Sequence, residues 1–150
     1  MVLTLNTASA VISFVTRSEE ESATFYDQLA ARYPKGKEAF LAFAKENRKN
    51  KVTVERAYYG VISDALEACY SFQEGLDPST YSVEGGLAEG ASYADAVRAA
   101  IEKEKRIQSL YRESAKLSEG LMADVTRAFK VMAKKREDRL AKLHALELAA

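Results

Sequence analysis

The sequence predicts an all-α protein that folds as a four-helix bundle with one long crossover between helices 2 and 3. Four long segments carry apolar residues at three- and four-residue steps, which is the spacing of a helix with one buried face. Glycine and proline separate these segments, and no run alternates apolar and polar residues as a strand does. We therefore expect no β-sheet. Residues 1–150 are predicted to form one domain with a single core, since a chain of this length needs no disulfide to be stable.

The composition limits the partners and the compartment. The 22 Lys and Arg residues balance the 22 Asp and Glu residues, so nothing global favours nucleic acid or a membrane as a partner. The apolar run of residues 8–15 is too short to span a membrane and follows no basic stretch, so we expect neither a transmembrane helix nor a signal peptide. Cys69 is the only cysteine, which excludes an internal disulfide and a cysteine-rich zinc site. A lone cysteine is typical of a reducing compartment, so we expect a cytoplasmic protein. The simplest interpretation of Cys69 itself is a small buried apolar residue.

The first helix is predicted to begin after Asn6 and Thr7, either of which can cap free backbone amides, and to end before Pro34. Its apolar face includes Glu19, so this carboxylate is predicted to point into the bundle. The other members of that face are Ile12, Val15, Ser22, Tyr26 and Leu29.

The second helix is predicted to start near Lys37 and to continue past Gly60 toward Phe72. Two asparagines lie on its inward face, which consists of Phe40, Phe43, Asn47, Asn50, Val54, Ala57 and Val61. The later part of this helix has more aromatic residues than one face needs, so we expect it to form a homodimer surface. These residues are Tyr58, Tyr59, Tyr70 and Phe72.

Residues 74–91 are predicted to be the long connection, because glycine, proline and acidic residues leave them without an apolar period. Ser92 and Asp95 then form a capping box that opens the third helix. Glu104 lies on the apolar face of this helix with Val97, Ile101, Ile107 and Tyr111. After a turn at residues 118–120, the fourth helix carries two arginines on its apolar face. That face consists of Val125, Phe129, Met132, Arg136, Arg139, Leu143 and Leu146.

The two halves of the chain repeat one pattern. Glu19 precedes Tyr26 by seven residues, and Glu104 precedes Tyr111 by seven, 85 positions further along. A second repeat links the second and fourth helices at a distance of 89 positions. It reads Phe40-x2-Phe43-Ala44-Lys45-x-Asn47-x2-Asn50-x3-Val54 and Phe129-x2-Met132-Ala133-Lys134-x-Arg136-x2-Arg139-x3-Leu143. The chain is therefore predicted to be a duplicated two-helix unit with polar residues at equivalent inward positions of all four helices.

These motifs resemble the rubrerythrin branch of the ferritin-like superfamily over nearly the whole chain. In that family the first and third helices each supply a carboxylate, and the second and fourth each supply Glu-x2-His. These side chains hold two iron ions that reduce peroxide or oxidise ferrous iron. The resemblance implies a ferritin-like four-helix bundle in which Glu19 and Glu104 are the two carboxylates and Tyr26 and Tyr111 are hydrogen-bond donors to them. Without a metal, the simpler interpretation of both tyrosines is a core aromatic residue with a satisfied hydroxyl.

The other ligand positions depart from the family. The flanking residues align the Glu-x2-His slot of the second helix with Asn47 and Asn50, and that of the fourth with Arg136 and Arg139. Arginine carries a fixed positive charge and no acceptor, so it cannot coordinate a metal. The resemblance therefore implies a degenerate diiron site. No metal is expected there, and any metal that did bind would be held by Glu19 and Glu104 alone.

Neighbouring residues do not restore the ligands. Glu46 and Glu137 are each one residue away from a slot, and one helical step rotates a side chain by about 100°, so both are predicted to face elsewhere. His144 is the only histidine, lies off the inward face and is predicted to be a partly exposed residue near the helix end.

Two glutamates and two arginines that face one core carry no net charge. We therefore predict a network in which Glu19 and Glu104 pair with Arg136 and Arg139, with Asn47 and Asn50 filling the remaining hydrogen bonds. The alternative is a rotated fourth helix whose arginines extend to the surface.

Two functional hypotheses follow. The leading one is a metal-free, non-catalytic protein without a cofactor, which acts as a binding, regulatory or structural module for an unknown protein or small-molecule partner. The alternative is a diiron oxidoreductase or peroxidase with two iron ions, in which Glu102, Glu46 or Glu137 joins Glu19 and Glu104. The first is favoured because such a site needs about six ligands and the sequence places two.

Overall fold

Four long helices make up most of the chain in the computed structural model, which describes residues 4–61, 71–120 and 122–150. They are α1 (Ala8–Arg32), α2 (Lys37–Val61), α3 (Tyr93–Ser118) and α4 (Ala123–Ala149). α1 packs mainly against α2 and α3 against α4, and contacts between α2 and α4 join the two pairs. The prediction of an all-α protein with four helices is confirmed.

Local sequence signals set the helix ends where they were predicted. The Thr7 hydroxyl accepts a hydrogen bond from the Ala10 amide at 3.1 Å and caps α1. A single 3-10 turn, Pro34–Gly36, separates α1 from α2. Ser92 and Asp95 form both hydrogen bonds of a capping box at α3. Gly120 lies in the turn before α4 with φ of 83°, a conformation that glycine adopts without strain.

The prediction that no sheet forms is wrong. Strand β1 (Leu5–Thr7) pairs antiparallel with β2 (Ser71–Leu76), with Leu5 opposite Leu76 and Thr7 opposite Ser71. A strand of three residues is too short to show an alternating pattern, and its partner lies more than sixty positions away in the chain. A side chain at Gly75 would collide with Thr4 and with the carbonyl of Leu5, so the close pairing uses a glycine.

The second helix begins at Lys37 and continues past Gly60 to Val61, as predicted. It does not reach Phe72, because Ser71–Leu76 is a strand. Residues 62–70, which include Cys69 and Tyr70, lie outside the described residues, as does the side chain of Phe72. The connection to α3 contains a 3-10 helix, Pro78–Tyr81, with Asp77 as its cap.

The core is divided into two apolar clusters, where one was predicted. Each helix contributes to both clusters, and its inward polar positions fall between the two contributions. On α1, for example, Val15 belongs to one cluster and Ala23 to the other, and Glu19 lies between them. The same order holds on α3, where Glu104 separates Ile101 from Ile107. A layer of polar side chains therefore crosses the middle of the bundle.

Candidate functional site

The polar layer consists of buried side chains from all four helices. Its members are Glu19 and Ser22 on α1, Asn47 and Asn50 on α2, Glu104 on α3, and Arg136 and Arg139 on α4. The exposed fraction is 1% or less for both glutamates, both asparagines and both arginines. The structure therefore brings all six predicted site residues together inside the bundle. The alternative of a rotated fourth helix with surface arginines is wrong.

Arg136 bridges the two glutamates. Its Nε donates to Glu104 Oε2 at 2.6 Å, and its Nη2 donates to Glu19 Oε2 at 3.0 Å. Its Nη1 lies 2.9 Å from Glu19 Oε1 as an ion pair without hydrogen-bond geometry. One guanidinium from α4 thus holds the carboxylates of α1 and α3, as the predicted network requires.

Arg139 connects the layer to the surface. Its Nη1 donates to Glu104 Oε1 at 3.0 Å, and its Nη2 donates to Glu46 Oε1 at 2.7 Å and to the carbonyl of Phe43 at 3.3 Å. The prediction that Glu46 faces away from the centre is therefore wrong with respect to Arg139. The Glu46 side chain is 41% exposed, and the long guanidinium reaches it at the edge of α2. Although Glu46 is rotated by one helical step from Asn47, the Glu46 and Arg139 side chains are long enough to meet.

The two asparagines have different roles. Asn47 Oδ1 accepts from Arg136 Nη2 at 2.9 Å and from Arg139 Nη1 at 2.6 Å, while its Nδ2 donates to Ser22 Oγ at 2.9 Å. Asn47 therefore fills remaining hydrogen bonds, as predicted. Asn50 does not: it is fully buried, yet neither atom of its amide has a partner among the described residues. The apolar pattern of α2 correctly predicts that Asn50 points inward, but the hydrogen bonds predicted for it are not formed with the described residues.

Each tyrosine of the repeat donates a hydrogen bond to the glutamate in the other half of the chain. The Tyr26 hydroxyl donates to Glu104 Oε1 at 2.7 Å, and the Tyr111 hydroxyl donates to Glu19 Oε1 at 2.5 Å. Burial and the adjacent carboxylates raise the pKa of both tyrosines well above the ordinary value, so both stay protonated as donors. The Arg139 guanidinium also lies over the Tyr26 ring, 5.5 Å from its centroid. These two hydrogen bonds both join α1 to α3, and they therefore connect the α1–α2 pair to the α3–α4 pair.

Mutual attraction favours the charged forms of Glu104 and Arg136. Burial alone would raise the pKa of Glu104, but the charges of Arg136 and Arg139 and the hydrogen bonds from Tyr26 and Arg136 lower it below its usual value. Burial would likewise lower the pKa of Arg136, yet Glu104 and Glu19 raise it well above the ordinary value. Buried charges survive in this form because each one is paired and hydrogen-bonded.

The lowered pKa of Glu104 predicts a loss of stability in acid. Because the folded value lies below the unfolded value of about 4.3, the contribution is complete above the unfolded pKa and is lost as the pH falls through the folded pKa. Denaturant unfolding between neutral pH and about pH 3 should show it, with a slope difference of up to about 1.4 kcal/mol per pH unit for one proton.

Two variants test the source of this acid sensitivity. Glu104→Gln should flatten the dependence, because a neutral amide takes up no proton. Glu102→Gln is the matched control on α3, since the side chain of Glu102 is 68% exposed and pairs with Lys105 at the surface. Equal acid slopes for wild type and Glu104→Gln would show that another group carries the effect.

The donor set does not fit a diiron centre. Both oxygens of Glu19 and both oxygens of Glu104 are already occupied by arginine or tyrosine donors. A metal ion would have to displace them and lie beside two guanidinium groups. Among the described residues, no group of three or more His, Cys, Asp or Glu side chains is placed to hold a metal. The chemistry of the layer is therefore that of a closed ion-pair network.

The other residues considered in the sequence lie outside the layer. Glu102 and Glu137 are exposed, and His144 is an exposed residue 3.7 Å from Glu147 Oε1. Tyr58 is buried and Tyr59 is exposed. Sequence reasoning overlooked Ser22 as a layer member, although it lies on the inward stripe of α1, and it overlooked the contact of Glu46 with Arg139.

Comparison with models of known protein families finds no match, and neither the curated proteins nor the solved structures match this chain significantly. None of the described helices has a stretch apolar enough to cross a membrane.

Proposed function

We propose that this chain is a rubrerythrin-related, ferritin-like protein in which an ion-pair network replaces the diiron ligands of helices 2 and 4. On this proposal it is a metal-free, non-catalytic protein that acts as a binding, regulatory or structural module. The observation that carries the proposal is Arg136, which lies in a ligand slot of the resembled pattern and neutralises both remaining carboxylates.

The arrangement of the layer supports a structural role for it. A catalytic centre needs a position where a substrate atom meets a reactive group. Here the carboxylates and guanidinium groups have exposed fractions of 1% or less. Their hydrogen bonds are made with one another and with neighbouring protein groups, namely Tyr26, Tyr111, Asn47, Glu46 and the carbonyl of Phe43. Three surface cavities of about 530 to 670 Å³ are lined by other residues. The layer is therefore suited to fixing how two helix pairs join.

The crossed contacts support the ferritin-like part of the proposal. In the resembled arrangement, each half of a duplicated chain contributes equivalently to one centre. Tyr26 and Glu104 pair at one end of the layer and Tyr111 and Glu19 at the other, which is the exchange that a pseudo-two-fold duplication produces. Between Val61, the last described residue of α2, and Tyr93, the first of α3, the described residues form strand β2 and a 3-10 helix, which supports one long crossover.

A rearranged diiron oxidoreductase gains no comparable support. It needs carboxylates beyond Glu19 and Glu104, and the candidates are placed elsewhere. Glu102 and Glu137 are exposed, and Glu46 is engaged with Arg139. We therefore retain the non-catalytic proposal alone.

Elemental analysis tests the proposal. Protein purified without chelators from cells supplied with iron, manganese and zinc should contain well below one equivalent of these metals per chain. Treatment with a chelator should leave the melting temperature unchanged, because no bound ion would stabilise the folded state. About two metal ions per chain, together with a chelator-sensitive melting temperature, would contradict the proposal.

A further inference from the structure

Three exposed apolar side chains lie in one line along the outer face of α2. Leu41, Val52 and Tyr59 are 45%, 44% and 64% exposed and are three of the five large apolar residues at the surface of the described chain. Since each residue turns a helix by about 100°, positions 41, 52 and 59 point within about 20° of one another. Asn50 faces the opposite way and is fully buried, so the line points away from the bundle.

Cations border this line on one side. Lys45, Lys49 and Arg56 are exposed and lie about 40° to 80° around the helix from it. None of the three forms an ion pair with an acidic side chain of the described residues. On the other side two cations are paired within the chain, Arg48 with Asp27 and Lys51 with Glu20.

The same cations surround a shallow depression at the middle of the line. Its volume is about 540 Å³, and it is lined by Lys45, Arg48, Lys49, Val52, Thr53 and Arg56. Lys45 and Lys49 are four residues apart on one helix, where like charges repel and weaken the helix. An apolar line flanked by cations that have no acidic partner among the described residues is complementary to a helix that has an apolar stripe and a flank of carboxylates.

We propose that this face of α2 binds an acidic amphipathic helix of another protein. The apolar residues of that helix would cover Leu41, Val52 and Tyr59, and its carboxylates would pair with the unpaired cations. This inference names a partner class for the binding role proposed above, and it rests on that role but not on the absence of metal.

A second copy of this face is a poorer occupant. An antiparallel pair of α2 helices centred on Val52 would place Arg48 opposite Arg56, and a parallel pair would place Lys45 opposite Lys45. Nucleic acid is also a poorer fit, since the apolar line offers nothing to phosphates. The charges therefore favour an acidic protein segment.

The probe is a fluorescent helical peptide of about 20 residues with leucine at heptad positions a and d and glutamate at e and g. Anisotropy titration should show saturable binding that weakens as salt is raised. The double substitution Lys45→Glu and Lys49→Glu should weaken binding at least about tenfold. Val52→Ser with Tyr59→Ser should weaken it as well, because the apolar contact is lost.

The matched control is the pair Lys130→Glu and Lys134→Glu on α4, which has the same spacing and exposure. These changes should leave the affinity unaltered, and circular dichroism should show that every variant is folded. A peptide with lysine in place of glutamate should not bind.

Four results would overturn the inference: no saturable binding below about 1 mM peptide, equal binding of the lysine peptide, displacement of the peptide by a single-stranded oligonucleotide, or self-association in sedimentation that the α2 substitutions abolish. Metal analysis is a separate measurement. A chain that contained two metals and yet bound the peptide would contradict the proposed function and leave this inference standing.

Discussion

Replacement of Arg136 by leucine is expected to lower the free energy of unfolding by about 3–5 kcal/mol. This arginine is fully buried and is the only side chain in the described structure that contacts both Glu19 and Glu104 as a cation. Its removal leaves the buried carboxylate of Glu19 without a cation and with only the Tyr111 hydroxyl as a hydrogen-bond donor. Denaturant unfolding monitored by circular dichroism measures the loss.

The control for this substitution is Arg127→Leu on the same helix. The side chain of Arg127 is 73% exposed and pairs with Asp124 at the surface, so its loss should cost less than about 1 kcal/mol. An equally small loss for Arg136→Leu would mean that water reaches the layer and that the described burial does not hold in solution.

A double substitution separates the pair from its parts. Glu19→Leu combined with Arg136→Leu removes one negative and one positive charge and leaves the ion pair between Glu104 and Arg139 in place. The double variant should therefore be more stable than Arg136→Leu alone, because no uncompensated charge remains. Simple addition of the two single losses would show that the cost comes from packing and not from a stranded charge.

The inward direction of the layer residues was predictable from the sequence. Glu19, Glu104 and Arg136 each interrupt an apolar stripe of three- and four-residue steps, and a helix places such positions on the buried face whatever their chemistry. Pairing of the charges then follows, since buried charges without partners are too costly to persist. These two steps were enough to predict the central ion pairs.

The parts that were missed depend on other quantities. The contact of Glu46 with Arg139 depends on side-chain reach, which the direction of a Cα–Cβ bond does not reveal. Whether the Asn50 amide finds a hydrogen-bond partner depends on the exact distances between helices, and it finds none among the described residues. The sheet depends on the pairing of Leu5 with Leu76, which are far apart in the chain, and a three-residue strand has no detectable period. Periodicity thus gives the orientation of a helix and leaves non-local contacts open.

The second large effect is expected when the missing ligands are put back. Four substitutions, Asn47→Glu, Asn50→His, Arg136→Glu and Arg139→His, would give each slot the Glu-x2-His sequence of the resembled family. All four positions have exposed fractions of 1% or less, and Asn47 is already within 2.9 Å of Arg136 and 2.6 Å of Arg139. The new side chains should therefore converge on Glu19 and Glu104.

Without metal, this quadruple variant should be less stable than the parent, because four carboxylates would share one core without an arginine. Ferrous or manganous ion should raise its melting temperature by binding only the folded state, and an ion at one hundred times its dissociation constant would contribute about 2.7 kcal/mol. Variants with only one restored slot should bind more weakly, since each supplies half of the new ligands.

The matched control changes the same four positions to residues other than Glu and His. Its substitutions are Asn47→Gln, Asn50→Gln, Arg136→Met and Arg139→Met. It disturbs the layer to a similar extent, so a metal-dependent rise in melting temperature that only the Glu and His variant shows must come from coordination. If the quadruple variant folds and gains no stability from either ion, the alignment of Asn47, Asn50, Arg136 and Arg139 with the ligand slots is wrong. The resemblance would then no longer explain why these four positions converge, and the ion pairs would stand as a feature of this bundle alone.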